Sequence, residues 1–592
     1  MIVPMKHLLL LAVAKDGERV LSDLRALGCV HLDLSRGSSE EFHAACEKLA
    51  ESERAVMVVD RAAREAKKRG ASAEAKGLRS AQEILAADER RRQVEEKIRL
   101  LERQIREYEP FGNFDPRLAA RLAEKGVPVQ LVRSKDKPET PAGGYVQRLG
   151  EGAWAVVGAP AEIGFGAEEV PIPAELLSTT RARLSEAKDE LLDVEASLAA
   201  SKAEAARLAS CEPSMKDQVA FAAAKDSLAD AGAVCWIEGW IPANKVPILR
   251  ARAVTDSWGL ALRDPAPGET PPTLIRPPKF FRPVVALFGG LGIAPAYTES
   301  DVSVPFMCYF SLFFAMLVGD GGYGAIMLAI TLWMWRRTKP EKDDPHHRPA
   351  IVRSWLALMT VFSTATVAWG ALSNTWFGAA IPACADWPTV KWLGDPSYNN
   401  MMFLCFTIGA SHLMLARIWN GICKAPDLSC VAEFGWAGII LFMYFTINWI
   451  VGISNGLPAF AYWMFGLSLA LVFGFTVKPS ELKTRGMELG MLPLNIMSAL
   501  GDVISYVRLF AVGYASLQVA QNFNQMALDL DLPMWAKVVP MVLILLLGHG
   551  MNFMLAGLAV LVHAVRLNTL EFSNHKGITW SGQAFCPFRK NQ

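Results

Sequence analysis

The chain lacks the usual signatures of a soluble catalyst. Its 592 residues hold no GxxxxGK[ST] phosphate loop and no HExxH motif, so there is no evident machinery for using ATP itself or for a catalytic zinc. The ten cysteines, at 29, 46, 211, 235, 308, 384, 405, 423, 430 and 586, fall in no CxxC or Cys/His spacing. They read as free thiols, mostly buried, with the soluble half in a reducing compartment. A net charge of +1 gives no support for nucleic-acid binding. Carboxylates are scarce beyond residue 300, where Asp320, Asp502, Glu433 and Glu488 stand near the ends of apolar runs.

What the chain does have is a division. Residues 1–270 are rich in Ala, Glu, Lys and Arg; residues 300–570 are rich in Leu, Met, Phe, Trp and Gly. The first half reads as soluble and the second as polytopic membrane protein. The opening MIVPMKHLLLLAVAKDGERV has an apolar run only about a strand long, with charge directly after it. A strand is expected rather than a signal peptide. GERVLSDLRALG carries Val20, Leu24 and Leu27 at helical spacing and stops on Gly28, and CVHLDL reads as a second strand.

Two helical regions follow, at about 39–109 and 173–212. Val94, Ile98, Leu101, Ile105 and Tyr108 make a heptad stripe in the first. Leu184, Ala187, Leu191, Val194, Leu198, Ala205 and Leu208 make the stripe of the second. They are expected to pair as an antiparallel hairpin, the alternative being a dimerising coiled coil. Between them VPVQLVRS and WAVVGAP read as strands, and AVCWIEGWIPANKVPILRAR reads as strand, loop and helix. The expected fold is an elongated α+β domain, residues 1–270. A coiled-coil stalk would join two α/β lobes, at about 1–35 plus 215–265 and at about 110–172. A proline-rich linker, 271–300, leads to an α-helical polytopic membrane domain, 301–570, and a tail, 571–592.

Eight spans are expected, at about 305–320, 321–337, 351–375, 401–420, 431–452, 459–477, 494–526 and 536–567. Lys and Arg concentrate in the even-numbered loops, which places those loops and both termini in the cytoplasm. GDGGYG at Gly319–Gly324 formally contains GxGxxG, but it lies between two apolar spans. It reads as a sharp glycine turn rather than a dinucleotide site.

The costly feature is Arg508, inside the seventh apolar run. A charge at that depth costs about 2.5–3.5 kcal/mol on the insertion scale. On a helical wheel Ala511, Ala515, Gln518 and Asn522 share its side, and Asn552, Ala556, Ala559 and His563 share the side of Arg566. Two small-and-polar strips, each carrying an arginine, point to a face against negative charge. No dense acid cluster answers them, so their partner is expected on another subunit. The bland reading is that Arg566 snorkels and the small residues merely pack helices. His412, Glu433, His549 and His563 are further candidates for carrying ions, each alone more often a packing hydrogen-bonder.

At these residues a resemblance appears. LGDVISYVRLFAVGYASLQVAQNFNQMA resembles the arginine-bearing span of the large membrane stator subunit of rotary V/A-type ATPases, subunit I in prokaryotes and subunit a in eukaryotes. YEPFGNFDP, WIEGWIP, PPTLIRPPKFFRP, LFFAMLVGDGGYG, the SH…EFGW pattern around His412 and Glu433, and HAVRLNTLEF match in the same order. The resemblance covers essentially the whole chain.

It implies a non-catalytic subunit in which Arg508, seconded by Arg566, faces the carboxylates of a proteolipid rotor ring. The other implied partners are peripheral stalk subunits, a central-stalk or ring adaptor subunit, the soluble ATPase head and membrane lipid. No cofactor or metal is implied; the translocated ion is H⁺ or Na⁺. Gln518, Gln521, Asn522, His549, Asn552 and His563, with His412, Glu433 and Glu488, are the implied lining of two half-channels. Two family positions depart: Ser516 stands where eukaryotic members carry histidine, and Ala556 where they carry glutamate. A self-contained secondary transporter with a regulatory domain is the rival reading; it needs an internal acid for Arg508.

Overall fold

A computed structural model of the chain describes every residue except 35–36, 70–76, 139–143, 159–167, 339–350, 395–396, 477–486, 488–489, 532 and 591–592. In chain order come β1 (Met5–Val13), α1 (Gly17–Leu27), β2 (His31–Leu32), α2 (Glu40–Arg69), α3 (Ala81–Tyr108) and α4 (Pro116–Glu124). Then follow β3 (Val129–Arg133), β4 (Tyr145–Gly150), β5 (Ala153–Val157), β6 (Glu168–Val170), α5 (Leu177–Ala200) and α6 (Lys202–Asp226). β7 (Ala229–Asp230), β8 (Val234–Pro242), α7 (Val246–Thr255) and β9 (Gly259–Arg263) complete the charge-rich half. The apolar half holds α8 (Val284–Leu291), α9 (Ser303–Val318), α10 (Gly321–Arg337), α11 (Ile351–Ser373), α12 (Pro388–Leu393) and α13 (Asn399–Lys424). After these come α14 (Ser429–Ile450), α15 (Ala459–Phe475), α16 (Leu492–Ile504), α17 (Val507–Leu528) and α18 (Met534–Ala559). Two compact units emerge: Met1–Leu11, Leu27–Leu32 and Glu238–Phe588 form one; Ala12–Ala26, Asp33–Ile237 and Arg589–Gln592 form the other.

In the second unit an antiparallel sheet of order β4-β5-β3-β6 buries Leu131, Ala153, Ala155 and Val170 against Phe111. The heptad stripe packs as its spacing requires: Val94, Ile98 and Leu101 of α3 meet Ala187 of α5. Arg90 pairs with Glu190 and Glu109 with Arg181, so α3 and α5 run antiparallel. Glu41 with Lys225 and Glu53 with Lys216 set α2 antiparallel to α6. The second predicted helix does not end near 210. It breaks at Ser201 and continues to Asp226. There the Ser201 hydroxyl donates to Ser197 O at 2.7 Å and accepts from Leu78 N–H at 2.8 Å, a local bond that competes with helical continuation.

The first unit contains a sheet of order β2-β8-β1-β9. β1 pairs antiparallel with β9, Leu9 opposite Ala261, as the buried alternation of the opening run requires. The C-terminal segment returns to this sheet. Thr273 N–H donates to Gln583 O at 2.7 Å and Phe585 N–H to Thr273 O at 3.1 Å, and Phe585 is buried with Met5 and Trp240.

Among the described residues five stretches are long and apolar enough to cross a membrane, within 352–373, 399–424, 429–450, 492–528 and 535–576. The other three predicted spans are helices of only 16 (α9), 17 (α10) and 17 (α15) residues. At 1.5 Å per residue they reach about 24–26 Å, short of a hydrocarbon core about 30 Å thick. The apolar half closes on a core that includes Phe306, Phe310, Phe313, Phe362 and Tyr506. The cysteines are free but mostly not buried; only Cys29, Cys235 and Cys405 are, several others standing on outward helix faces or in loops.

Candidate functional site

α9 and α10 join at the glycine turn. Gly319 takes φ +69°, a left-handed conformation suited to glycine, and Asp320 caps α10. The Asp320 Oδ1 accepts from the N–H groups of Gly322 at 2.7 Å, Tyr323 at 3.3 Å and Phe377 at 2.8 Å. Its Oδ2 accepts from Gly378 N–H at 2.7 Å. So bound, the carboxylate fixes a turn.

Arg508 is the second residue of α17, just after the break at Ser505–Tyr506 that separates α16 from α17. Its Nε donates to Ser505 O at 2.9 Å, and its Nη2 is bonded to Glu571. The same Glu571 Oε1 lies 3.3 Å from Arg566 Nε. The internal counter-charge that sequence reasoning did not find is therefore Glu571, and the expectation of a partner only outside the chain is corrected. The reason is local geometry. α18 runs on through two π-helical turns, Val560–Ala564 and Leu567–Phe572. Their i→i+5 bonding stacks residues five apart, whereas an α-helix turns them well away from each other. Arg566 and Glu571 are five apart.

The same turns overturn the wheel drawn for the last span. Asn552 and Ala556 are buried, at 1% and 3% exposure, and do not share the outward face of Arg566, which is 55% exposed. α17 itself is regular. Ala511, Ala515 and Asn522 are exposed and Gln518 is half-buried. Glu571 is 5% exposed, and its Oε2 has no hydrogen-bond partner. Two guanidinium groups share one carboxylate, so the cluster keeps one unit of positive charge.

The remaining candidates fall in separate groups. His412 is fully buried, its Nδ1 at 2.9 Å from the Tyr506 hydroxyl, its ring between Tyr309 and Phe572 at 4.0 and 4.4 Å. Glu433 is held by Arg417 at 3.1 Å and by Lys424. Arg417 Nε also donates to His575 Nδ1 at 3.0 Å, and His575 Nε2 meets Asp502 at 2.9 Å. Arg417, Asp502 and His575 join this network without any sequence spacing that could have announced them. His549 and Asn552 belong to a third group with Ser516, Tyr323 and Asn524. Gln518 donates to the Tyr514 hydroxyl at 3.0 Å, Gln521 is exposed, and His563 is half-buried with its Nδ1 unpartnered. Glu488 lies outside the described residues. Among the described residues no group of three His, Cys, Asp or Glu side chains is arranged to hold a metal.

The chain as a whole has similar sequences among known proteins. The chain is 26% identical to V-type ATP synthase subunit I 1 of Treponema pallidum over the full length of both. The chain is similar throughout to subunit I of V/A-type ATP synthases. V-type ATP synthase subunit I of Borreliella burgdorferi is 31% identical over 60% of each chain. A-type ATP synthase subunit I of Methanocaldococcus jannaschii is 23% identical over 60% of this chain and 55% of its own. No protein-family model matches. This similarity and the apolar helices together support a membrane subunit of a rotary ATPase.

Proposed function

We propose that the chain is the stator and ion-translocating subunit of a rotary V/A-type ATPase or ATP synthase. The observation that carries this reading is the shared carboxylate: Glu571 answers both Arg508 and Arg566 yet leaves one positive charge. Beside it runs a strip of exposed Ala511, Ala515 and Asn522 with half-buried Gln518. Small residues let another helix approach closely. A carboxylate on a passing rotor helix is then stabilised in its ionised form by the cation, by about 1–3 pKa units, and releases its H⁺ or Na⁺. The arginine itself stays charged and does not carry the proton.

In this reading the proteolipid ring turns against α17 and α18. Two offset half-channels use the groups of Glu433, His412 and the polar tip of α17. The paired helices of the charge-rich half act as a coiled-coil stalk that meets peripheral stalk and ring-adaptor subunits and resists torque from the ATPase head. Both termini are cytoplasmic, and the three short helices complete eight spans by local thinning of the bilayer and snorkelling of flanking residues. ATP chemistry lies in other subunits.

Arg508→Ala in the assembled complex tests the reading. Loss of ATP-coupled ion transport with assembly retained is the expected result; undiminished coupling would refute it. Glu571 is also the internal acid that a self-contained transporter would need. Purification separates the two: a stator brings a proteolipid ring and ATPase head with it, whereas an active solitary protein is a transporter.

A further inference from the structure

The polar group at the far end of α17, with Tyr323, Ser516 and Asn552 buried and His549 and Asn524 half-buried, has a complete hydrogen-bond order. Two backbone carbonyls, which only accept, anchor it. Asn524 Nδ2 donates to Phe377 O at 2.7 Å, so Asn524 Oδ1 is an acceptor, and the His549 Nε2 at 3.0 Å from it carries a proton. Asn552 Nδ2 donates to Ser516 O at 2.9 Å and to the Tyr323 hydroxyl oxygen at 3.1 Å. Asn552 Oδ1 accepts from the Ser516 hydroxyl at 3.1 Å. In neutral His549 the Nδ1 is then an acceptor, and the Tyr323 hydroxyl, 2.8 Å away, donates to it.

This order leaves one place for an added proton. On His549 Nδ1 it makes an imidazolium whose Nδ1–H donates to Tyr323, and the tyrosine hydroxyl hydrogen turns away. The Tyr323 oxygen, with two lone pairs, still accepts from Asn552. One bond reverses and all the others stand. Among the described residues no charged side chain is hydrogen-bonded to His549, which bonds to Tyr323 and Asn524. The acid on the α10 side, Asp320, is occupied by four backbone N–H groups. The amides of Asn524 and Asn552 hold protons firmly. The imidazole of His549 is thus the one place in the group that can take up a proton, with Tyr323 as the partner that turns. Ser516 and Asn524 lie about 12 and about 24 Å along α17 from Arg508 at 1.5 Å per residue, so the group occupies the stretch between the arginine and the far end of that helix.

We propose that His549 is the proton-accepting group of the far-side path, switched between two hydrogen-bond states with Tyr323. It fills this part in a chain with serine at 516 and alanine at 556. The inference rests on the stator reading above. The test uses the whole complex in sealed vesicles, with ATP-driven ion transport measured as the pH on the far side is varied. Wild type should show a histidine-like inflection between about pH 5 and 8. His549→Gln, whose amide keeps one donor and one acceptor but cannot be protonated, should lose that inflection. An inflection retained by His549→Gln at any midpoint, or absent from wild type, overturns the proposal. Arg508→Ala in the same vesicles separates the two claims: lost coupling there with an unchanged His549→Gln profile sinks only the switch.

Discussion

Arg508 at the start of α17 and Glu571 in the π-helical extension of α18 are joined by a salt bridge, 63 residues apart in sequence. The bond ties together the two helices that carry the arginines. It also holds Arg508 in one orientation, because Nε is fixed on Ser505 O while Nη2 is fixed on Glu571.

Glu571→Gln should therefore do more than remove a charge. It leaves two guanidinium groups against a neutral amide in a site that is 5% exposed on the glutamate side. Breaking a buried pair from one side costs about 3–5 kcal/mol. The expected outcome is a lower unfolding temperature of the solubilised protein and loss of coupled transport. A variant with unchanged melting would show that Glu571 is not a structural partner of the arginines.

Close helix packing makes a second expectation. A Cβ added at Gly370 of α11 would stand 2.2 Å from Gly321 Cα and 2.3 Å from Gly321 N. Backbone cannot swing aside as a side chain can, so Gly370→Ala should destabilise the protein by about 1–3 kcal/mol. Gly466 of α15 meets nothing within 4 Å, and Gly466→Ala should be neutral or stabilising by a few tenths to about 1 kcal/mol. Yield and thermal stability in detergent, compared side by side, check both; equal behaviour of the two variants would contradict the packing.

Acid should loosen the segment that leads into the linker. The Arg263 guanidinium hydrogen-bonded to Glu269, aided by the Ala266 N–H, holds that carboxyl at about 2, below its ordinary 4.5. A carboxyl depressed on folding stabilises above its ordinary value, and that contribution fades as pH falls from about 4.5 towards 2. Pepsin cleavage within 264–272 should rise over this window in wild type. Glu269→Gln should be cut readily throughout. Equal cleavage of the two proteins across the window would remove the carboxylate from that segment's stability.

Several of these features were legible in the chain itself. β1 follows from an apolar run of strand length, and α3 packs through Val94, Ile98 and Leu101 because a heptad stripe has one face. The turn at Gly319 follows from a glycine cluster between two apolar runs. Arg508 stood out because a charge inside such a run is expensive wherever it points. These are properties of neighbouring residues and of a fixed helical period, so sequence determines them.

Other features depended on the folded chain. The wheel for the last span assumed a constant 100° per residue, and the π turns broke that phase, burying Asn552 and exposing Arg566. Glu571 stayed hidden as a partner for the same reason. Arg417, Glu433, His575 and Asp502 were unrelated positions until four helical segments met. The tautomer of His549 follows only from two carbonyls, of Phe377 and Ser516, that tertiary structure places at either end of its network. The sequence determined which charges the apolar half carries. Which of them meet was decided by helix irregularity and packing, because contacts between distant segments have no period to read.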